Sequence, residues 1–191
     1  MHRAAGEDEQ EHEQGVSHGR DSSVGGDEPP SVPRDRRRSP RRLAARPRHP
    51  EQLKELAARL GPNARAGSPR EAAAFGEVVL IAVPYGALPQ VGRDYAAELR
   101  GKVVLETGNP NPGRDGDMAV AARAKGTGVA SAEFRPGVRL VRAFTSVPAS
   151  ALRSEAHRAG ERVAIPLAAD DDGALKTAVR LVEDAGFEPV S

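Results

Sequence analysis

The chain has no cysteine and no tryptophan, and aromatic side chains make up only 3% of its 191 residues. Without cysteine there is no disulfide, no thiolate nucleophile and no thiolate-ligated zinc. With so few aromatics, a core has to be assembled from Val, Leu, Ile and Ala, the material of a buried parallel sheet covered by helices. Charge of one sign is also lacking. The formal net charge is +1, which excludes a globally basic nucleic-acid binder. No apolar run approaches the ~20 residues that cross a bilayer, so no membrane partner is expected. The opening residues, MHRAAGEDEQEHEQ, have no apolar stretch of the signal-peptide kind, and a soluble, cytoplasmic protein is the expectation. The length suffices for one domain and a tail.

Two regions differ sharply. From Met1 to about Pro47, Val16, Val24, Val32 and Leu43 stand isolated among charges, Gly, Ser and Pro. Such a segment buries too little apolar area to offset its ordering entropy, so a disordered tail over 1–47 is expected. Its first half is acidic, and its second half runs through Arg34, Arg36, Arg37, Arg38, Arg41, Arg42 and Arg46 to Arg48 at its border. That cluster lacks aromatics for base stacking and any nucleic-acid fold, so a solvated tail is the better reading than a nucleic-acid site.

From Pro50 onward helical and strand signals alternate. EQLKELAARL (51–60) puts Leu53, Leu56, Ala57 and Leu60 on one helical face, with Gly61-Pro62 as the stop. Ser68, Pro69 and Glu71 spell a capping box that opens a short helix through Phe75. EVVLIAV (77–83) reads as a strand buried on both faces and ended by Pro84. A helix over 88–99, the strand KVVL (102–105), a loop over 107–116 and a helix over 117–125 follow. The strands VRLVRAF (138–144) and VAIPL (163–167) come next, and then an amphipathic helix over 172–185. This order predicts an α/β fold with a mostly parallel sheet and flanking helices.

In such a sheet the ligand crevice lies beyond the carboxyl ends of the strands. The residues to read for chemistry are therefore Val83-Pro84-Tyr85, Thr107 to Pro110 and Ala143-Phe144. Asn109 is the best single candidate, a polar group at a strand end with Pro110 stiffening the turn. On the residues alone, an Asn-Pro turn and a Pro-ended strand with a loop aromatic are the commoner readings. Asp170-Asp171-Asp172 lies between a strand and a helix, where acids cap helix N-termini, so no metal site is assigned. His157 reads as an exposed loop residue. No catalytic residue is assigned, and no Ser/His/Asp or Cys/His arrangement suggests hydrolysis.

Five stretches in order carry a resemblance: LAARLGPNARAGSPREAA, EVVLIAVPYGALPQV, GKVVLETGNPNPGRDGDMA, GVASAEFRPGVRLVRAF and ERVAIPLAADD. Over roughly three quarters of its length the chain resembles the NADP-dependent oxidoreductases that act with the deazaflavin (F-420) coenzyme. The resemblance implies a Rossmann fold over 48–191 and hydride transfer between NADP(H) and a deazaflavin or similar acceptor. A homodimer is the assembly to look for. It implies cofactor contacts at Val83, Pro84, Tyr85, Thr107, Asn109, Pro110, Ala143 and Phe144, and a 2′-phosphate partner at Arg48. Family members begin with a strand and a glycine-rich turn that brings backbone N–H groups to the pyrophosphate, and nothing before Arg48 supplies one. The Rossmann fold is thus expected to be incomplete, and residues 1–47 are expected not to be its native start. The alternative is a non-catalytic remnant or interaction module with weak or no cofactor binding. Thr145 stands where the family commonly carries Asn, keeping a hydroxyl but losing the amide.

Overall fold

The computed structural model describes residues 42–44 and 50–191. Residues 1–41 and Arg48, with the expectations attached to them, lie outside the described residues. Arg42–Ala44 forms a short strand, β1. Helix α1 (Pro50–Leu60) follows, and its Leu53 and Ala57 are buried. Strand β2 (Ala64–Ala66), unforeseen in the sequence, pairs in parallel with β1.

The capping box forms as read. The Ser68 side chain accepts from the Glu71 N–H at 3.2 Å, and the Ser68 N–H donates to the Glu71 carboxylate at 2.7 Å. With Pro69 in the first turn, these bonds start α2 (Pro69–Phe75). Strand β3 (Val78–Ile81) comes next, then a 3₁₀ turn over Tyr85–Ala87. The helix expected over 88–99 is two helices, α3 (Leu88–Asp94) and α4 (Ala96–Leu99), because Tyr95 leaves helical geometry at φ −123°, ψ 22°. Strand β4 (Val103–Glu106) leads into a short helix, α5 (Pro112–Asp115), inside the expected loop. Helix α6 (Asp117–Lys125) has the expected bounds, and α7 (Thr127–Glu133) adds a helix that was not expected. The rest is β5 (Arg139–Arg142), α8 (Ala149–Glu155), β6 (Ala164–Pro166), β7 (Ala168–Ala169), α9 (Asp172–Asp184) and β8 (Glu188–Val190).

The main sheet has the order β3-β4-β5-β7. Its first three strands are parallel, and β7 runs antiparallel to β5. β6 and β8 form a separate parallel pair. The fold is α/β with a mostly parallel sheet between helices. Alternation along β4 divides the core. Val103 and Leu105 join Val141, Ile165 and the α9 residues Ala174, Ala178 and Val182 on one face. Val104 joins Tyr85, Leu88, Leu99, Ala122 and Ala130 on the other. Burying each such Val, Leu or Ile contributes about 1.5–3 kcal/mol. α3 lies so close to the end of α7 that a Cβ on Gly92 would come within 1.8 Å of the Phe134 carbonyl oxygen.

β3 departs from expectation. Read as buried on both faces, it leaves Leu80 58% exposed. Among the described residues only one side of β3 is paired, and Leu80 borders an open cavity rather than a helix.

Candidate functional site

A cavity of about 670 Å³ opens beyond the carboxyl ends of β3, β4 and β5. β3 supplies Leu80 and then Ala82; the loop after β4 supplies Thr107 and Asn109; the loop after β5 supplies Phe144, Thr145, Ser146 and Val147. Residues of α8, with Ala185 and Phe187, close the far side. None of the described residues lining it is charged. Its polar equipment is the Asn109 carboxamide and the hydroxyls of Thr107, Thr145 and Ser146. Such a volume with a few convergent polar groups suits an uncharged, ring-sized ligand.

The loop after β4 is held by three arginines, each on a different carbonyl oxygen. Arg142 donates to Gly108 at 2.9 Å, Arg114 to Asn109 at 3.0 Å and Arg123 to Pro110 at 2.9 Å. Asp115 ties this loop to the one after β3, accepting from the Gly86 N–H at 3.1 Å and the Asn111 N–H at 2.9 Å. The Arg114 guanidinium, which bonds both oxygens of Asp115, and those N–H donors hold its carboxyl well below the usual carboxylate range. Gly108 is tightly enclosed, since a Cβ there would sit 3.3 Å from the Tyr85 ring.

These bonds also orient the Asn109 carboxamide. Its Oδ1 accepts from Arg142 at 3.2 Å and its Nδ2 donates to the Thr145 carbonyl at 2.6 Å. Among the described residues Nδ2 meets one acceptor, which leaves its second N–H as a donor at the cavity that Asn109 lines. Opposite, Phe144 is held at φ +58°, a left-handed conformation that costs a non-glycine residue about 1–3 kcal/mol. Its ring meets Phe187 edge-on, with centroids 6.1 Å apart.

Behind the loop lies a buried charge cluster. Glu106, at the end of β4, is fully buried and accepts from Arg135, from Arg142 at 2.6 Å and from Ser131 at 3.0 Å. Ser131 also meets the Tyr85 hydroxyl at 3.1 Å. Burial pushes the Tyr85 phenol up.

Of the residues expected at the site, Thr107, Asn109 and Phe144 come together around the cavity. Val83 and Pro84 follow β3 outside its wall. Pro110 and Ala143 are buried behind it. Tyr85 lies away from the cavity, its side chain wholly buried with its ring against Phe134 and its hydroxyl on Ser131. Glu106, Arg135, Arg142 and Asp115 were not singled out from the sequence. Their signal was present: a charged residue inside an apolar strand has to find a partner.

The site fits one end of a dinucleotide better than the other. The neutral cavity suits a nicotinamide-sized ring. Among the described residues no Gly-x-Gly-x-x-Gly run follows a strand, and no charged group lines the cavity to meet a phosphate.

Comparison with known proteins agrees with this fold. Residues 37–110 match the family described as NADP oxidoreductase, coenzyme F420-dependent. A hypothetical protein from Sinorhizobium meliloti is 24% identical with a TM-score of 0.64, covering 78% of this chain and 71% of its own. A pyrroline-5-carboxylate reductase from Coxiella burnetii is 16% identical with a TM-score of 0.52, covering 78% of this chain and 48% of its own. A proposed F420-dependent NADP reductase from an Arthrobacter species is 18% identical with a TM-score of 0.49, covering 69% and 61%. No curated protein matches the sequence. The resemblance read from the motifs is thus found again by the family match over residues 37–110, and the solved structures with TM-scores of 0.64 and 0.52 share the fold. No helix among the described residues is long and apolar enough to cross a membrane.

Proposed function

We propose that the cavity beyond β3, β4 and β5 is the ring-binding end of an oxidoreductase site for hydride transfer between NADP(H) and a deazaflavin-like acceptor. The observation that carries this reading is the uncharged lining of a 670 Å³ cavity at the sheet edge where open α/β folds bind ligands. NADP(H), when bound, supplies the hydride donor or acceptor carbon. The chain's own part is placement and exclusion of water, which account for most of what a hydride transfer asks of a protein. Phe144, Val147, Leu152 and Phe187 form apolar walls. The free N–H of Asn109, fixed by Arg142 and the Thr145 carbonyl, orients a ligand carbonyl oxygen. The hydroxyls of Thr107, Thr145 and Ser146 can donate or accept as the ring requires. No acid or base is needed at the reacting carbon, in keeping with a lining that offers none.

A second reading, a non-catalytic interaction module, draws support from the exposed Leu80 and the one-sided pairing of β3. Thermal shift and calorimetry with NADPH separate the two. They should be run on the chain and on a version carrying a strand–glycine turn–helix unit before residue 49. Saturation near 100 times the dissociation constant should add about 2.7 kcal/mol of stability. Binding by either form that is lost in Asn109→Ala supports the oxidoreductase site. Binding by neither overturns it and leaves the interaction module.

A further inference from the structure

The described lining of the cavity carries no charge, but the layer behind it does. Glu106 is fully buried, Arg135 is 2% exposed and the Arg142 side chain is 13% exposed. One carboxylate stands against two guanidinium groups, which stay protonated in proteins. One positive charge is therefore in surplus. Ser131 and Tyr85, which complete the cluster, add none, since burial pushes the Tyr85 phenol up. The surplus also shows in the hydrogen bonds: among the described residues, Nε and Nη1 of Arg135 are buried without an acceptor.

The cluster has a direction. Arg142 bridges Glu106 and the cavity wall. Its Nη1 donates to Glu106 at 2.6 Å, and its Nη2 donates to the Gly108 carbonyl at 2.9 Å and to Asn109 Oδ1 at 3.2 Å. The carboxylate thus lies behind the guanidinium, and the positive end faces the cavity. Asn109 continues the same sense, with its oxygen on Arg142 and its Nδ2 on the cavity side. On the same loop, Arg114 is balanced by Asp115, while Arg123, on the Pro110 carbonyl, is exposed and counts for less. Buried charges are screened far less than exposed ones, and among the described residues no carboxylate lines the cavity to offset them.

We infer that the cavity discriminates between the two redox states of the nicotinamide ring, with Arg135 and Arg142 as the residues that set the preference. It holds the uncharged dihydro ring and repels the pyridinium ring. This preference rests on the cavity reading above and deepens it. The two rings have the same carboxamide and differ by a hydride. When that hydride leaves the ring carbon with its electron pair for the acceptor, the ring is left with a full positive charge. Asn109 can donate to the carboxamide oxygen of either form, so hydrogen bonding does not separate them. The surplus charge behind Asn109 does. The site takes up the hydride donor and loses its hold on the oxidised product.

Two ring-only probes test this on the isotope-labelled full chain by NMR, read at the Asn109 side-chain amide. One is 1-methylnicotinamide, a cation, and the other is its neutral 1,4-dihydro form. The dihydro probe should bind about tenfold more tightly than the cation. Arg135→Met removes the surplus charge without touching a bond to Asn109 or Gly108, and should cut the preference to about threefold or less. Arg142→Met, which removes the nearer charge, should act in the same direction and serves if Arg135→Met does not fold. Arg100→Met, at the opposite end of the sheet, should leave the preference intact. Equal affinities of the native chain for the two probes, or tighter binding of the cation, overturn the inference and leave the cavity reading standing. A preference that survives the loss of either cluster arginine, or that falls equally in Arg100→Met, overturns it as well. If neither probe shifts Asn109 at millimolar concentration, the cavity reading falls and this inference falls with it.

Discussion

Replacing Glu106 with Ala removes the only carboxylate in a cluster that holds two guanidinium groups. Glu106 is fully buried and Arg135 is 2% exposed, so neither loses its partner to water cheaply. After the change, Arg135 keeps only a long bond to the Ser131 carbonyl at 3.4 Å, since its Nε and Nη1 already lack partners. Breaking a buried ion pair by deleting one member costs about 3–5 kcal/mol, because the surviving charge stays buried. A domain of this size has about 5–15 kcal/mol in total, so the variant should be marginal. With a urea slope of about 1–3 kcal/mol/M, the midpoint should fall by roughly 2 M. Urea denaturation followed by circular dichroism measures this. The paired change Glu106→Leu with Arg135→Met should recover most of the loss, since it removes both charges together. A Glu106→Ala unfolding free energy within about 1 kcal/mol of wild type would refute the claim that this cluster is a closed, dry network.

Further expectations follow from the packing and the charges. Gly92→Ala should cost about 1–3 kcal/mol or more in urea melts, because its Cβ would meet the backbone oxygen of Phe134 rather than a movable side chain. Leu80→Ser should stay within about 0.5 kcal/mol of wild type, whereas Leu105→Ala, 3% exposed, should lose about 2–5 kcal/mol. Asp171 caps α9 by accepting from the Ala174 N–H and pairs with Arg139, which holds its carboxyl down at about 2. A carboxyl lowered in the folded state stabilises above its unfolded value of about 4, and that contribution disappears as pH falls from about 4 toward 2. Asp171→Asn should therefore melt lower at neutral pH, and its difference from wild type should shrink over that window.

Much of the fold was legible because local chemistry and tertiary packing agree in it. The Ser68/Glu71 capping box, the α6 boundaries and the presence of strand β4 needed no knowledge of neighbours. The parts that were not legible depend on partners distant in sequence. Strand β2 is three residues of Ala-Arg-Ala, and only its pairing with β1 makes it a strand. Tyr85 looked like a loop aromatic open to ligand because its partners, Ser131 and Phe134, lie some 46 to 49 residues further on. Leu80 looked buried because an apolar run does not say whether both sides of its strand are occupied. At the site, Thr107, Asn109 and Phe144 followed from strand-end logic. The arginines that fix the Asn109 loop come from three separate elements and could not be paired by spacing.

The most direct test of the central claim, that the neutral cavity receives the ring end of NADP(H), is a titration of NADPH into isotope-labelled full chain followed by NMR. It reads weak binding as well as strong. The account predicts shifts at the Asn109 side-chain amide and at the backbone amides of Thr107, Thr145 and Ser146. Gly101 and Lys102, at the opposite end of the sheet, should stay still. Shifts confined to that opposite end, or none anywhere at millimolar NADPH, would contradict it.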